Sequence, residues 1–302
     1  MKHRLIVFAG FATALTAGSA LAQEQPHHKI EAAATISILG DLVQNVGGDR
    51  VNVATLVGPN GDAHVYSPTP GDARKLAGAD VTFVNGLGLE GWMTRLVMAS
   101  GTKAPMIVVS TGVVPRKMKD MRDPTRTKID PHAWQSVANA EIYVANIRDA
   151  LSEADPAGKA AYDANAKAYL GKLEALQNVI TATIAKIPAD RRKIITTHDA
   201  FGYFGDAYGM TFIAPEGIST DAEPSAQDVA KIITQIKQDK IPAVFMENIT
   251  DPRLMQQIAH ETGAAIGGTL YTDALSAPSG PAATYIDMMR HNVDEFSKAL
   301  ID

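Results

Sequence analysis

Short apolar runs alternate with amphipathic runs along almost the whole chain of 302 residues. The apolar runs have the length of buried strands, and the clearest amphipathic runs begin with a proline or with a residue that can cap a helix. This alternation predicts an α/β fold in which helices cover parallel sheets. The predicted strands are 30–35, 51–58, 80–85, 105–110, 193–198, 210–215, 242–247 and 265–271, and the clearest predicted helices are 70–79, 225–240 and 252–262.

One segment, residues 156–187, interrupts this alternation. Its apolar side chains recur every three or four positions, which predicts one long helix that ends at Pro188. At 1.5 Å per residue this helix would span about 48 Å, more than a single small domain needs. We interpret it as a backbone helix that joins two βα lobes. Two shorter helices with a break at Gly171 are the less favoured alternative, because glycine costs a helix only about 1 kcal/mol.

The first residues have the pattern of a secretory signal peptide. Lys2 and Arg4 precede an apolar run over 5–15, and residues 20–22 have the small-x-small pattern Ala-Leu-Ala that signal peptidase cleaves. The apolar run is too short to cross a bilayer, and no later segment reaches about 18 uninterrupted apolar residues. We therefore expect cleavage after residue 22 and no membrane anchor in the mature protein.

The composition excludes several classes of protein. The absence of cysteine excludes disulfides, thiolate ligands and a lipid-carrying cysteine at the cleavage site, which favours a periplasmic protein without a lipid anchor. A formal charge of −5 is not that of a nucleic-acid binder.

A mature chain of about 280 residues is longer than a typical domain with one hydrophobic core, so two domains are expected. We predict a signal peptide at 1–22, an N-terminal βα lobe at 23–155, a linking helix at 156–187 and a C-terminal βα lobe at 188–302.

Candidate metal ligands stand where predicted strands run into loops, and they are His64, His132, His198 and Asp273. Neutral imidazole nitrogens suit zinc and its neighbours, and three of them with one carboxylate fill a tetrahedral shell. Two of the four residues belong to each predicted lobe. A metal bound by all four would therefore lie in the cleft between the lobes.

Each candidate also has an ordinary structural explanation. His64 could be a solvated loop histidine, and His132 could be incidental to a loop that Trp134 anchors. His198 could be a core histidine with satisfied ring nitrogens, and Asp273 could cap the segment that follows it. Four candidates at strand ends, two in each lobe, outweigh these separate explanations.

Several ordered motifs resemble one family, the periplasmic metal-binding components of zinc and manganese ABC transporters. The resemblance covers essentially all of 28–302. It rests on the sequences around the three histidines, and on Gly-Ile-Ser-Thr-Asp-Ala-Glu-Pro-Ser at 217–225, Phe-Met-Glu-Asn at 245–248 and Ala-His-Glu-Thr-Gly at 259–263. It implies two βα lobes joined by one long helix, with the metal bound between them.

The resemblance also implies a ligand set, which is His64, His132, His198 and Asp273. In the manganese branch of the family the third ligand is typically Glu, whereas in the zinc branch it is typically His. His198 therefore favours zinc. The chemistry agrees, because manganese prefers oxygen ligands and higher coordination, while nitrogen-rich tetrahedral sites favour zinc.

The chain departs from the family's usual pattern at several positions. Many zinc members carry a long loop rich in histidine and acidic residues before the second ligand, but here 115–130 is short, basic and free of histidine. This argues against a metal-collecting role for the loop. Ala63, Ser67 and Ala274 stand where the family often has Pro, Glu and Ser, and none of these changes removes a ligand atom.

The function expected from these features is that of a periplasmic solute-binding protein, not an enzyme. As a monomer it would hold one Zn²⁺ ion per chain and deliver it to the cognate inner-membrane ABC permease, and a periplasmic metallochaperone could load it. Four protein ligands close the shell and leave no position for a reacting substrate. The first alternative is a protein of the same family that binds manganese or another divalent metal.

A less favoured alternative is a secreted zinc hydrolase, in which the three histidines bind zinc, water takes the fourth position, and Glu247 or Asp273 is the base. No His-Glu-x-x-His helix supports it. A binder of a non-metal solute would require that the histidines not converge. Because metal binding requires neutral imidazoles, we expect the affinity to fall below about pH 6.5.

The remaining histidines rank lower as ligands. His27 and His28 could form a weak second metal site, although a disordered tail is the simpler interpretation. His260 and His291 lie within helical patterns, so we interpret both as ordinary surface or half-buried residues.

Overall fold

The computed structural model describes residues 29–119 and 125–301. The predicted signal peptide at 1–22 lies outside the described residues, as do His27 and His28. Among the described helices, none combines the length and the apolar character that crossing a bilayer requires.

Strands and helices alternate along the described residues. The strands are β1 (Ile30–Ile36), β2 (Val51–Val57), β3 (Val81–Val84), β4 (Met106–Val108), β5 (Lys117–Lys119), β6 (Thr127–Ile129), β7 (Lys193–Ile195), β8 (Thr211–Ile213), β9 (Ala243–Glu247) and β10 (Ala265–Leu270). The helices are α1 (Ser37–Gly47), α2 (Pro70–Ala77), α3 (Met93–Ser100), α4 (Val137–Ala154), α5 (Lys159–Lys186), α6 (Gly202–Tyr208), α7 (Ala226–Asp239), α8 (Arg253–Thr262) and α9 (Tyr285–Ile301).

Two parallel sheets form the framework. The N-terminal sheet has the strand order β2-β1-β3-β4, and the C-terminal sheet has the order β10-β9-β7-β8. In the N-terminal sheet Ala32 lies in register with Val53 on one side and Val81 on the other. In the C-terminal sheet Ile195 lies in register with Val244. Each predicted strand overlaps one strand of these sheets, so the predicted α/β fold with parallel sheets is confirmed.

Helix α5 connects the parts of the chain that form the two sheets. A 3₁₀ turn at Pro156–Gly158 leads into α5, which continues without a break through Gly171. The alternative of two shorter helices is therefore wrong. Leu173, Leu176 and Ile180 are buried on one face of α5, and burying each such side chain contributes about 1.5–3 kcal/mol, which outweighs the cost of one glycine.

The charged segment before His132 contains more structure than the sequence predicts. We expected a loop, but β5 and β6 pair as an antiparallel ribbon, and residues 120–124 between them lie outside the described residues. The backbone N–H of Asp130 donates to the carbonyl of Arg116 at 2.9 Å and closes the ribbon. This pairing brings Arg116 beside the loop that carries His132.

One apolar core extends through both halves of the molecule. It includes Phe83 of β3 in the N-terminal sheet, Leu173 on α5, and Phe201 and Phe296 from the C-terminal half. Trp134, which follows His132, is fully buried in the same core. The core therefore supports the loops that follow β2, β7 and β10 from behind.

Candidate metal centre

His64 follows β2 in a turn that begins at Asn60. Asn60 has a φ angle of 57°, which is uncommon for a residue other than glycine, and its N–H donates to the carbonyl of Leu275 at 2.9 Å. The N–H of His64 donates to Oδ1 of Asp62 at 2.8 Å. These bonds stabilise the turn, and His64 itself is half-buried.

His132 lies in a loop that its own neighbours hold in place. Its N–H and its Nδ1–H both donate to Oδ1 of Asp130, at 3.0 Å and 2.8 Å. The carbonyl of Pro131 accepts a hydrogen bond from Nδ2 of Asn85 at 2.9 Å. The ring of Trp134 contacts the imidazole edge to face, with 5.3 Å between ring centroids. Because Nδ1 is engaged, Nε2 is the nitrogen left to bind a metal.

His198 follows β7 and depends on a carboxylate from the neighbouring strand. Its Nδ1–H donates to Oε2 of Glu247, the last residue of β9. The other oxygen of Glu247 accepts from the N–H groups of Thr197 and His198, at 2.9 Å and 3.1 Å. Nε2 of His198 is buried and has no hydrogen-bond partner. A buried nitrogen without a partner is costly unless a ligand binds it.

Asp273 follows β10 and is fully buried. Its Oδ2 lies 3.0 Å from Nε2 of His64 and 3.4 Å from Nε2 of His198. Its Oδ1 lies 3.6 Å from Nε2 of His132. Neither oxygen accepts a hydrogen bond. An ionised carboxylate in such a position requires positive charge close to it, since its burial alone is strongly unfavourable.

The structure brings all four sequence-predicted candidates together. Their nearest ligand atoms all lie within 4.8 Å of one another, and Nε2 of His64 is 3.2 Å from Nε2 of His132. Within 29–119 and 125–301, no other set of three or more His, Cys, Asp or Glu side chains converges in this way. Three imidazole nitrogens and one carboxylate are donors that fit a tetrahedral metal ion.

Electrostatic interactions inside this cluster are strong. Burial lowers the pKa of His132, but Asp273 and Asp130 outweigh burial and raise it to about 9. Burial likewise opposes charge on His198, yet Glu247 and Asp273 hold the pKa of His198 well above its usual value. Burial would raise the pKa of Asp273, but His132 and His198 hold it well below its usual range. Without a metal, protons on the imidazoles therefore balance the buried carboxylates.

Two carboxylates that orient the rings, Asp130 and Glu247, are not among the residues predicted from the sequence. Asp130 stands two residues before His132 in the motif Asp-Pro-His, so its position was a usable signal. Glu247 is 49 residues from His198, and only the pairing of β7 with β9 brings it there. From the sequence, Glu247 has a role only as a base in the hydrolase alternative, whereas in the structure it orients His198 and accepts from backbone N–H groups.

The other described histidines lie apart from the cluster. His260 is exposed on α8. His291 on α9 donates through Nε2 to the carbonyl of Thr269 at 2.9 Å, and its ring contacts Tyr271. Both are ordinary surface or half-buried residues, as expected.

The sequence from residue 33 to residue 299 matches a family described as "ZnuA: Zinc-uptake complex component A periplasmic". The chain belongs to the ZnuA family. The match covers both sheets, α5 and the four clustered residues, and the resemblance inferred from the motifs is confirmed.

Relatives of this ZnuA-family chain are named for different metals. The iron-binding protein YfeA of Yersinia pestis is 36% identical over 289 residues, which cover 95% of this chain and 92% of YfeA. The manganese-binding lipoprotein MntA of Halalkalibacterium halodurans is 36% identical over 266 residues, which cover 88% of this chain and 87% of MntA.

Solved structures resemble the chain over almost their whole length. The periplasmic zinc binding protein TroA of Treponema pallidum aligns with a TM-score of 0.85 at 29% identity, covering 91% of this chain and all of TroA. The Mn-bound periplasmic metal binding protein of Candidatus Liberibacter asiaticus aligns with a TM-score of 0.79 at 32% identity, covering 88% of this chain and 98% of that protein.

Membership of the ZnuA family establishes the class of function. The protein is the extracytoplasmic, substrate-binding component of a metal ABC transporter, it binds a divalent metal, and it has a cognate permease. It is not an enzyme, so the hydrolase alternative is wrong. Glu247, which the hydrolase would use as a base, is instead held by His198 and two backbone N–H groups.

Proposed function

We propose that this ZnuA-family protein captures one Zn²⁺ ion in the periplasm and delivers it to its ABC permease. The proposed ligands are Nε2 of His64, His132 and His198 and the carboxylate of Asp273. One observation carries the proposal, namely the convergence of these atoms within 4.8 Å. Within that cluster, Nε2 of His198 and both oxygens of Asp273 are buried and have no hydrogen-bond partner.

Zinc is preferred over manganese because the proposed donor set is rich in nitrogen. Manganese prefers oxygen ligands and a higher coordination number, whereas four-coordinate nitrogen-rich sites suit zinc. Asp130 and Glu247 accept hydrogen bonds from Nδ1 of His132 and His198, which strengthens both buried imidazoles as donors to a metal. Relatives named for manganese and iron keep a second candidate open, a manganese-binding protein of the same family.

The arrangement of the chain fits this role. We propose a cleaved signal peptide at 1–22, an N-terminal lobe at 23–155, a linking helix at 156–187 and a C-terminal lobe at 188–302, with the metal bound between the lobes as the cargo of a monomer. Several relatives are lipoproteins. This chain contains no cysteine, so we propose that it acts in the periplasm without a lipid anchor.

Capture is an exchange of protons for metal. The buried imidazoles of His132 and His198 carry protons while the metal is absent, because neighbouring carboxylates raise their pKa values. A divalent cation supplies the same positive charge to Asp273 and displaces those protons. Burial of the ligands and of Trp134 keeps water away from three of the four ligand residues.

The test compares the affinities for Zn²⁺ and Mn²⁺ in the wild-type protein and in His198→Glu. Most protein sites bind zinc more tightly than manganese, so the ratio of the two affinities is the informative quantity. We expect His198→Glu to reduce that ratio by about tenfold or more, because it exchanges a nitrogen donor for oxygen. His260→Glu makes the same substitution at an exposed site and is expected to change nothing.

The metal content of the protein isolated from the periplasm of its host completes the test. About one zinc per chain is expected. Manganese in place of zinc, or an affinity ratio that His198→Glu leaves unchanged, would contradict the assignment of zinc.

A further inference from the structure

A joint behind the metal centre connects the loop of His132 with α6, the helix that follows His198. The hydroxyl of Tyr203 on α6 donates to the carbonyl of Asp130 at 3.2 Å and accepts the N–H of Arg116 at 2.8 Å. The guanidinium of Arg116 reaches Oδ2 of Asp130 at 3.4 Å and Oδ2 of Asp206 at 3.0 Å. The joint therefore comprises four residues, which are Asp130, Arg116, Tyr203 and Asp206.

Asp130 gives the joint its link to the metal. Its Oδ1 accepts both hydrogen bonds from His132, and its Oδ2 faces Arg116. The two oxygens of a carboxylate cannot move independently, so the position of Arg116 constrains the rotation of the group that orients His132. The side chain of Asp130 is fully buried, so its neighbours in the protein surround it closely.

Gly202, the first residue of α6, shows how closely the two segments approach. A Cβ atom at this position would lie 2.3 Å from Nη1 of Arg116 and 2.5 Å from Oδ2 of Asp130. No side chain fits there unless one of these groups moves. The absence of a side chain at Gly202 therefore permits the contact between Arg116 and Asp130.

We propose that Arg116 is a positioning residue for His132. It holds Asp130 in the orientation that His132 needs, and through Asp206 and Tyr203 it ties this orientation to α6. The loop of His132 and the segment after His198 then form one unit, so a metal that binds one histidine finds the other already placed. This inference rests on the proposed function, since it takes His132 and His198 as ligands of the same ion.

The experiment measures the rate of Zn²⁺ dissociation into a competing chelator, together with the melting temperature of the metal-free protein. The variant Arg116→Met removes the guanidinium and keeps most of the apolar stem. Replacing a group that hydrogen-bonds directly to a metal-binding histidine typically changes metal binding by about 10–100-fold. Because Arg116 lies one contact further, we expect the low end of this range, with dissociation about tenfold faster. Asp206→Asn removes only the negative charge on the exposed side of the joint and is expected to give a smaller acceleration in the same direction.

Arg50→Met is the matched control. Arg50 pairs with Asp155 through Nε and Nη2, at 2.9 Å and 2.7 Å, and is about as buried as Arg116. This pair contacts none of the proposed ligands. We expect Arg50→Met to change the melting temperature of the metal-free protein and to leave the dissociation rate of zinc at its wild-type value.

A spectroscopic measurement separates positioning from general destabilisation. In the zinc-loaded protein the Nδ1 protons of His132 and His198 are held by carboxylates and give separate NMR signals. Arg116→Met should move the signal of His132 and leave that of His198 in place. Wild-type dissociation in both Arg116→Met and Asp206→Asn, with an unmoved His132 signal, would overturn this inference alone. A wild-type protein that binds no zinc would overturn the proposed function and this inference with it.

Discussion

His132 and His198 present the same ring nitrogen to the metal centre from two differently built surroundings. Both are fully buried, and both donate through Nδ1 to a carboxylate. The carboxylate for His132 is Asp130, two residues earlier in the same loop. The carboxylate for His198 is Glu247, which is 49 residues away on the neighbouring strand. One ring is oriented by a local turn, whereas the other is oriented by a sheet.

This difference shows which structural changes each ligand can tolerate. A single oxygen of Asp130 accepts both bonds from His132. Glu247 uses one oxygen for the ring of His198 and the other for two backbone N–H groups. His198 is therefore placed only while β7 and β9 stay paired, whereas His132 is placed by the carboxylate of its own loop, which Arg116 contacts from the outside.

Removing the imidazole of His132 or of His198 should weaken zinc binding more than any substitution around them. Structural zinc sites bind with about 10–16 kcal/mol, so one of four ligands accounts for about 3 kcal/mol, or about a hundredfold in affinity. We expect His132→Ala and His198→Ala to reach similar losses in a calorimetric zinc titration, with His260→Ala as the unaffected control. A large loss in one variant but not in the other would show that the two rings do not bind the same ion.

The next effect separates the two carboxylates. In Glu247→Gln the amide oxygen must accept from the two backbone N–H groups, so the amide NH₂ faces Nδ1 of His198. Nδ1 must then accept a hydrogen bond, and the ring proton moves to Nε2, the nitrogen that would bind zinc. In Asp130→Asn the remaining oxygen can still accept both bonds from His132. We expect about a hundredfold weaker zinc binding for Glu247→Gln and about tenfold for Asp130→Asn. Equal losses, measured by competition with a chelator, would contradict the contrast.

The pH dependence of zinc binding reports the protons that the metal displaces. A raised pKa stabilises the metal-free protein fully below the ordinary imidazole value of about 6.5, and this stabilisation disappears as the pH rises through about 9 for His132. Zinc binds the neutral ring, so its affinity should rise about tenfold per pH unit for each displaced proton over this range. The rise in melting temperature caused by zinc should grow accordingly between pH 6.5 and 9.

Proton release can be measured directly, by calorimetry at pH 7.5 in buffers of different ionisation enthalpy. We expect more than one proton to leave per zinc bound, because the pKa of His198 is raised as well. Binding without proton release would show that the rings are already neutral at this pH. From the sequence alone we expected zinc affinity to fall only below about pH 6.5. The sequence does not show that carboxylates lie beside the imidazoles and raise their pKa values.

Tyr143 lies further from the proposed metal ligands, and its substitution should change zinc affinity least. The hydroxyl of Tyr143 donates to Oδ1 of Asn85 at 2.5 Å, and Nδ2 of Asn85 donates to the carbonyl of Pro131. Tyr143→Phe leaves a buried amide oxygen unpaired, which should cost about 1–3 kcal/mol of folding free energy. Because Asp130 orients His132 locally, zinc affinity should change by less than about threefold. A larger loss of affinity would show that the loop of His132 is not locally organised.

The sequence predicted the framework because buried parallel strands have a simple signature. Strands β1, β3 and β9 are short apolar runs in sequence and are almost wholly buried in the structure. The long helix α5 could be predicted because its buried apolar residues recur every three or four positions. Helix α1 was missed because it follows β1 directly, and Ile36, at its N-cap position, has no side chain that could cap it.

Part of the candidate site could be predicted from the sequence. The residues in short motifs could be found, whereas contacts between residues far apart in the chain could not. His64, His198 and Asp273 could be found because each follows a recognisable apolar run, and His132 because it stands in the short motif Asp-Pro-His-Ala-Trp. The pairings of Glu247 with His198 and of Arg116 with Asp206 could not, because they depend on strand register and on a close approach at Gly202. A single sequence does not contain the packing that creates such contacts.

We propose that His64, His132, His198 and Asp273 bind one zinc ion together. X-ray absorption spectroscopy of the zinc-loaded protein tests it most directly, because it counts the nitrogen and oxygen atoms around the metal. We expect three imidazole nitrogens at about 2.0–2.1 Å and carboxylate oxygen at about 2.0–2.2 Å. A shell with fewer than three imidazoles, or one dominated by oxygen, would contradict the claim.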